Sequence, residues 1–246
     1  MFIPLYDDNK LNHIRFQWVT LAIIILNVLL WLLMAGFGEE SSFSASVVLG
    51  FGFIPSIASG LTELSPELLL FPEWLNYVSY AFVHGGFIHL AGNMVFLWVF
   101  SDNVEDAMGH VRFVIFYCVC AAAGAYFHGL LQPESDAPLI GASGAAAGMA
   151  SAYLLLHPRV RIWTLAFGRI PLPLPSYIMI GLWILFQFYM LITDFDGQVS
   201  WGAHVGGILA GAVLVFFMKR KSVKLFQKPR LLDEIPENDE ERATLG

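Results

Sequence analysis

Charged residues are scarce in this 246-residue chain. Only 13% of its residues are Asp, Glu, Lys or Arg, whereas 57% are hydrophobic. A soluble domain typically has about 25% charged residues. Its single core could not bury as much apolar surface as this chain contains. The scarcity of charge therefore excludes a soluble globular protein and indicates a polytopic membrane protein.

Cysteine is rarer still, with Cys118 and Cys120 as the only two in the chain. They lie two positions apart in one apolar segment, which points their side chains to different faces of a helix. A mutual disulfide is therefore not expected. We expect both thiols to be packing residues with no redox role.

The chain contains several long apolar segments. A run of about 17–25 apolar residues can cross a bilayer as a helix. The first run is long enough to stay in the membrane and no clear cleavage site follows it, so we expect a signal anchor. Six predicted spans cover about residues 17–35, 85–104, 112–130, 140–157, 175–193 and 201–218.

Lysine and arginine are absent from three of the five loops between these spans. All 13 lie near the N-terminus, in two alternate loops or after the last span. Because cationic loops stay on the cytoplasmic side, both termini are predicted to be cytoplasmic, with outward loops at 36–84, 131–139 and 194–200. The predicted fold is an all-α bundle of six transmembrane helices with a large outer loop between helices 1 and 2. It comprises a cytoplasmic stub at 1–16, the membrane domain at 17–218 and a charged cytoplasmic tail at 219–246.

The net charge of −7 argues against a nucleic-acid partner. A basic cluster after the last span has two interpretations. It is either an anchor that sets the topology, which we favour, or a specific site for anionic lipid in the bilayer. Its members are Lys219, Arg220, Lys221 and Lys224.

Four polar residues interrupt the predicted spans near their outer ends. Ser143 lies in GASGAAAG of the fourth span and His204 lies in WGAHVGGILAG of the sixth. His89 and Asn93 are four residues apart in the second span and therefore share a helix face. Polar groups are costly in hydrocarbon unless they face protein or water, so an intramembrane His is a candidate functional residue. We expect the four side chains to meet in one layer below the outer surface.

This set of side chains suits acyl transfer. A serine hydroxyl becomes a nucleophile when a neighbouring base accepts its proton, and the His204 imidazole is a candidate base. The Asn93 amide, the His89 imidazole and a main-chain N–H near Ser143 would donate hydrogen bonds to the tetrahedral intermediate. Each residue also has a structural interpretation, because Ser is often a small packing residue and Asn or His can hydrogen-bond between helices. The shared depth and complementary chemistry favour a site.

Glycine is frequent in the same two spans. Gly141 and Gly144 would leave room for a substrate backbone beside the hydroxyl. Small residues spaced four apart let two helices pack closely. Two such pairs predict direct contact between the fourth and sixth spans, which would bring Ser143 to His204: Gly144 with Gly148, and Gly207 with Gly211.

These motifs, in this order, resemble the rhomboid family of intramembrane serine proteases. The matching segments are HGGFIHLAGNM at 84–94, the GASG box around Ser143 and AHVGGILAG around His204. The resemblance covers most of residues 74–215. It includes the acidic FSDNVEDAMG turn, the HPR after the fourth span, and Leu182, Trp183 and Gln187 of the fifth.

The resemblance implies a Ser-His dyad without a third acid. Ser143 would be the nucleophile and His204 the general base and acid, with His89, Asn93 and the Ser143 N–H as oxyanion stabilisers. His84 would have a structural or water-organising role. Family membership further implies hydrolysis of peptide bonds in single-pass transmembrane proteins near the outer membrane face, without metal or other cofactor. It implies a multi-pass protein of the prokaryotic cytoplasmic membrane with an outward active site, and leaves the oligomeric state open.

The chain departs from the family pattern in two places. Some members carry Trp-Arg in the first outer loop where this chain has Trp74 and Leu75, which puts an Arg-dependent anchoring of that loop in doubt. Some also have a tyrosine one turn after the serine that stacks on the catalytic His, whereas this chain has Ala147. Another ring must then orient His204, or its orientation is looser.

Two other segments could move during a reaction cycle. The outer loop 36–84 holds apolar stretches too short to span, and we expect it to lie partly in the outer leaflet. The loop 194–200, with Asp194, Asp196 and Gly197, is a candidate lid. Aromatic residues of the fifth span form either a side gate or ordinary lipid contacts: Trp183, Phe186, Phe188 and Tyr189.

Two other classes of function stay open at this stage. A catalytically silent binder of membrane helices would keep the fold without the chemistry, but the intact Ser, His, Asn and GxSG set disfavours it. A transporter or metal site would use His84, His89 and His204. No acidic ligand or metal-type His spacing accompanies these three residues, so a metal site is not expected.

Overall fold

Five long helices and one shorter helix lie where the sequence predicts spans. The computed structural model describes residues 2–227 except 39, 167, 195, 196 and 198. In this described part the α-helices are α1 Trp18–Phe37, α2 Ser42–Phe51, α3 Pro55–Ala58, α4 Asn76–Ser79, α5 Phe87–Met108, α6 His110–Leu131, α7 Ser143–Leu156, α8 Ser176–Thr193 and α9 Trp201–Met218. The strands are β1 Phe2–Asp7, β2 Arg161–Ala166 and β3 Ile170–Pro175.

The helices make this a polytopic membrane protein. Four of those described, α1, α6, α8 and α9, are long and apolar enough to cross a bilayer. A fifth span results if α5 is counted together with the helical turns of Glu73–Phe82, from which it bends by 89°. The remaining apolar helix, α7, has 14 residues. At 1.5 Å per residue it covers only about 21 Å, less than the hydrocarbon core of about 30 Å.

The short helix α7 lies at the centre of the bundle. Nearly all of its residues are buried, because they are small and the neighbouring helices approach their backbone closely. A methyl group on Gly148 would lie 2.6 Å from Cys120 Sγ of α6 and 3.1 Å from the Gly207 carbonyl oxygen of α9. The direct contact between the fourth and sixth predicted spans is therefore confirmed, and Cys120 is a packing residue within it.

Two acidic side chains at the C-terminal end of α5 hold the N-terminal segment. The buried Glu105 carboxylate accepts hydrogen bonds from the main-chain N–H groups of Val19 (3.1 Å) and Thr20 (2.8 Å). It thereby caps α1, whose first N–H groups have no intrahelical acceptor. The Asp106 carboxylate accepts from the N–H groups of His13 (2.6 Å) and Ile14 (2.7 Å). The acidic FSDNVEDAMG segment, expected to be a turn, is helical as far as Met108 and is an anchoring point for the segment that enters the first long helix.

The mostly helical structure fits the predicted all-α bundle, but it also contains an antiparallel sheet of three strands in the order β1-β2-β3, which was not predicted. The N-terminal stub supplies β1, which pairs with β2, while β2 and β3 form a hairpin between α7 and α8. Pro171, Pro173 and Pro175 alternate along β3, so its N–H donors at 170, 172 and 174 are the ones that can pair with β2. The free edge of β3 then carries no N–H donor, which protects this edge from further strand pairing. A proline-rich segment does not suggest a strand, and this is why the sheet was missed.

The long loop between α1 and α5 contains several short helices and is anchored without arginine. The Asn76 amide donates to the carbonyl oxygens of Gly50 (3.0 Å) and Gly52 (2.7 Å). The Ser79 hydroxyl donates to the Phe51 carbonyl (2.6 Å). These bonds tie the end of the loop back to α2, whereas Trp74 is 68% exposed.

The segment after α9 folds back across the end of the bundle at which α5 ends. The Arg220 main-chain N–H donates to the Ala107 carbonyl (2.8 Å), and its side-chain Nε–H donates to the Asp106 carbonyl (3.3 Å). The Phe226 N–H donates to the Leu155 carbonyl at the end of α7 (2.8 Å). The rest of the predicted charged tail, from residue 228 onward, lies outside the described residues.

Candidate active site

Ser143 is the first residue of α7 and is half-buried. The preceding Gly141 has a φ of +110°, a backbone conformation that glycine adopts without steric cost. Its N–H donates to the Tyr80 carbonyl (3.0 Å), and the Ala142 N–H donates to His84 Nε2 (3.3 Å). Because the first N–H groups of a helix have no intrahelical acceptor, main-chain donors are available beside the Ser143 hydroxyl.

Helix α5 brings His89 and Asn93 against this turn. A methyl group on Gly141 would overlap His89 Nε2 and would lie 3.4 Å from Asn93 Nδ2. The Asn93 side chain is buried, and its amide nitrogen lies 2.9 Å from His84 Nε2. The predicted face of α5 therefore meets the GASG turn directly, and Gly141 is the residue whose missing side chain makes room for it.

His84 contacts both Asn93 and the turn before Ser143. Its Nε2 accepts the Ala142 N–H, so this nitrogen is unprotonated and can also accept from the Asn93 amide. The His84 and His89 rings lie edge to face with their centroids 5.0 Å apart. One imidazole thus connects the turn before Ser143 to the amide on α5.

The crossing of α7 and α9 brings Ser143 and His204 to neighbouring positions. A methyl group on Gly144 would lie 3.2 Å from the Ala203 carbonyl oxygen, so the residues adjacent to the two predicted partners are in contact. Ser143 and His204 are both half-buried. Within the described part of the chain, no hydrogen bond joins the Ser143 hydroxyl to the His204 imidazole. Such bonds are often loose in unliganded enzymes and tighten when substrate binds.

The His204 ring is held by residues that the sequence did not assign to it. Its Nδ1 lies 2.8 Å from Gln187 Oε1 of α8. The Trp201 ring packs edge to face at 5.7 Å between centroids, and the Trp183 ring lies at 6.3 Å. Some family members have a tyrosine at the position of Ala147 that stacks on this ring. In this chain the two indoles contact the ring instead. Gln187 is the only residue of α8 with an amide side chain. An isolated amide in an apolar helix was the sequence signal that could have pointed to this contact.

The loop before α9 is described only in part. The Trp201 indole Nε1–H donates to Asp194 Oδ2 (2.9 Å), which fixes the ring that contacts His204. Ser200 caps α9 by accepting the Ala203 N–H (3.1 Å) and lies 2.8 Å from His128 Nδ1. Asp196 of the predicted lid lies outside the described residues.

Comparison with known proteins identifies one family. Residues 72–221 match the family model of the rhomboid domain. The chain is 28% identical over 165 residues to RHOMBOID-like protein 5 of Arabidopsis thaliana, covering 67% of this chain and 50% of that protein. It is 27% identical over 164 residues to Rhomboid protein 1, mitochondrial, of Saccharomyces cerevisiae, covering 63% and 44%. It is 23% identical over 237 residues to the rhomboid protein YdcA of Bacillus subtilis, covering 92% and 100%. The chain thus spans about half of the length of the first two relatives.

Proposed function

The chain belongs to the rhomboid family, and from that premise we propose that it is an intramembrane serine endopeptidase that cleaves single-pass transmembrane proteins. One observation carries the proposal. The turn before Ser143 packs against His89 and Asn93, while the helix that begins at Ser143 crosses α9 beside His204. A nucleophile, a base and oxyanion donors from three helices therefore share one neighbourhood.

Ser143 is the proposed nucleophile and His204 its general base. The imidazole takes the hydroxyl proton as the oxygen attacks the scissile carbonyl, and returns it to the leaving amine. This forms an acyl-enzyme, which a water molecule then hydrolyses with the same base. The half-buried state of both side chains supports access for that water. The bond between them forms when a side-chain rotation brings the hydroxyl to the imidazole.

The oxyanion of the tetrahedral intermediate needs donors that are already in place. The Ser143 N–H at the start of α7 is one, with the helix dipole favouring negative charge there. The Asn93 amide has two N–H groups, so one remains for the oxyanion when the other binds His84. His89 Nε2 faces the same turn and can serve as the third donor when protonated at that nitrogen.

The short length of α7 supports a site below the membrane surface. If the inner end of this helix lies at the inner boundary of the hydrocarbon, its 14 residues bring Ser143 to about 9 Å below the outer boundary. A substrate helix would have to expose its peptide bond at that depth. Cleavage near the outer membrane face follows from this position.

The proposed topology has six spans, cytoplasmic termini and the division into 1–16, 17–218 and 219–246. Cationic segments from distant parts of the chain gather at one end of the bundle, which supports it. Arg112 donates to the Met218 carbonyl (3.4 Å), and Arg220 packs on the end of α5. The site would open at the opposite end and face outward. The match along the whole of YdcA supports a prokaryotic cytoplasmic membrane.

Ser143→Ala and His204→Ala test this function. Each variant, purified and reconstituted in liposomes, should lose cleavage of a model single-pass substrate while its unfolding temperature stays close to that of the wild type. Ser46→Ala, on the exposed face of α2, is the matched control and should retain activity. A fluorophosphonate probe should label the wild-type protein at Ser143, and a metal chelator should have no effect.

Retained cleavage by purified Ser143→Ala would overturn the proposal. A panel of single-pass proteins co-expressed with wild type or Ser143→Ala would then identify the substrates. Cut sites seen only with wild type would define the sequence preference.

A further inference from the structure

We propose that Gln187 is a positioning residue that holds His204 in the tautomer with its proton on Nδ1. This inference rests on the proposed function, because it explains how His204 would be ready to act as a base. In proteases with a catalytic triad, a carboxylate binds the base in this way. Here an uncharged amide on α8 occupies the corresponding place.

The Gln187 side chain has one orientation. Its Nε2–H donates to the Trp183 carbonyl one turn earlier on α8 (3.1 Å), and its Oε1 lies 2.8 Å from His204 Nδ1. Exchanging the amide oxygen and nitrogen would place two oxygens against each other at Trp183. The side chain is only 2% exposed, so water cannot replace either bond. The oxygen must therefore face the imidazole.

The orientation of the amide decides the protonation of the ring. An amide oxygen has no hydrogen, so the bond to Gln187 forms only when Nδ1 carries the proton. The lone pair of a neutral imidazole is then on Nε2. That nitrogen is the one left to accept the Ser143 proton. When it does so, the dipole of the Gln187 carbonyl stabilises the imidazolium without a formal charge in the membrane.

The same helix also supplies a ring contact. Trp183 and Gln187 are four residues apart and share a face of α8, so both are directed toward His204. Trp201 closes the other side and is itself fixed by Asp194. The position of α8 against α9 therefore sets both the tautomer and the plane of the imidazole. Any outward movement of α8 would separate Gln187 Oε1 from His204 Nδ1.

Three substitutions at Gln187 separate positioning from simple packing. Gln187→Leu keeps the volume and removes the acceptor, so kcat should fall with little change in KM. We expect a decrease of about 10–100-fold, by analogy with removal of the outer-shell partners of metal-binding histidines. Gln187→Glu keeps an acceptor and should restore most of the rate. Its carboxylate should also shift the acidic limb of the pH–rate profile to higher pH, because it stabilises the protonated imidazole. Gln187→Asn is too short to reach and should behave like Gln187→Leu.

Nitrogen-15 NMR of histidine-labelled protein gives a readout that needs no activity. The His204 signals, assigned by comparison with His204→Ala, should show the Nδ1–H tautomer in wild type and a mixture of tautomers in Gln187→Leu. Equal tautomer populations in these two proteins would overturn the inference, as would a Gln187→Glu rate no better than that of Gln187→Leu. If wild type shows no Ser143-dependent cleavage, the proposed function fails, and the NMR comparison still decides whether Gln187 sets the tautomer. Unfolding temperatures within a few degrees of wild type are required of each variant used.

Discussion

Gly207 of α9 faces the main-chain carbonyl of Gly144 in α7 so closely that a methyl group on Gly207 would overlap that oxygen. Ser143 directly precedes Gly144 in the sequence, and His204 lies one turn before Gly207 on α9. The contact that packs the two helices is therefore the contact that brings the proposed dyad together. Stability of the bundle and geometry of the site have the same structural origin.

Gly207→Ala should destabilise the protein because the added methyl group has no space. We expect a loss of about 1–3 kcal/mol or more in the free energy of unfolding, the usual cost of overpacking a well-packed interior. Steric trapping or thermal unfolding in detergent would measure it. Gly181→Ala is the matched control, since nothing lies within 4 Å of a methyl group there. A stability equal to that of wild type in Gly207→Ala would contradict the close α7–α9 contact.

Gly141→Ala should impair catalysis more than folding. Its φ of +110° is unfavourable for alanine, and the new methyl group would overlap His89 Nε2. The turn before Ser143 would have to shift away from α5, so kcat should fall by at least about tenfold, given how steeply rates depend on such positions. Gly86→Ala, which has open space around it, should retain the wild-type kcat. Full activity in Gly141→Ala would separate this turn from the site.

Asn93→Ala removes a proposed oxyanion donor. Loss of one such donor lowers kcat by about 100–1,000-fold in the serine protease subtilisin, and we expect a similar decrease here. The bond to His84 is lost as well, so the unfolding temperature should be measured alongside. Labelling of Ser143 by a fluorophosphonate should slow in parallel, because the phosphonyl oxygen uses the same donors. An unchanged kcat would assign Asn93 to a structural role alone.

Glu105→Ala should destabilise the first long helix. The substitution leaves two main-chain N–H groups at the start of α1 without their charged acceptor, at a cost of about 2–4 kcal/mol. Hydrogen exchange of α1 should rise before that of α7. The exposed Glu67→Ala serves as the control and should change neither quantity. Protection of α1 as strong as in the wild type would show that other groups cap this helix.

Stability should depend on the ionisation of Asp7 in β1. Burial raises the pKa of its carboxyl to about 6, with the Asp8 charge adding to the effect and the hydrogen bond from Tyr153 opposing it. In the unfolded chain the carboxyl ionises near pH 4. Between about pH 4 and pH 6 the folded state therefore binds more protons than the unfolded state, and this group makes stability fall as the pH rises.

Asp7→Asn should remove that part of the pH dependence. Its amide oxygen can still accept from Tyr153, so the variant should gain stability relative to wild type as the pH rises from 4 to 7. Thermal unfolding across this range measures the difference between the two proteins. Asp136→Asn, in the exposed loop between α6 and α7, is the control. A constant difference between Asp7→Asn and wild type over the whole range would contradict the raised pKa.

The positions of the long helices could be predicted because lipid leaves few alternatives. A segment of some twenty apolar residues in a bilayer must satisfy its own main-chain hydrogen bonds, and a helix does so within the segment. The last predicted span, 201–218, coincides with α9, and the first is within two residues of α1 at each end. The glycine pairs similarly predicted which helices are in contact, because two helix backbones can approach closely where the residues have no side-chain atoms.

The sheet could not be predicted by the same means. Its strands β1 and β2 come from opposite parts of the chain, and β3 alternates proline with aliphatic residues. Pairing of this kind depends on which segments the bundle brings together at one of its ends. Glu105 is a similar case. It lies just after the predicted second span but inside the observed helix α5, where donors from the first long helix surround its buried carboxylate.

Composition and residue spacing alone determined that this is a membrane protein, which of its helices pack together at the centre, and which residue types could form a site. They could do so because hydrophobicity and glycine spacing act locally along the chain. Only the tertiary structure decided that Gln187 and two tryptophans surround His204, that His84 contacts Asn93, and that the Ser143 hydroxyl lies beside its proposed base with no hydrogen bond between them among the described residues. Those relationships depend on distances between helices that are far apart in sequence, and no local pattern contains them.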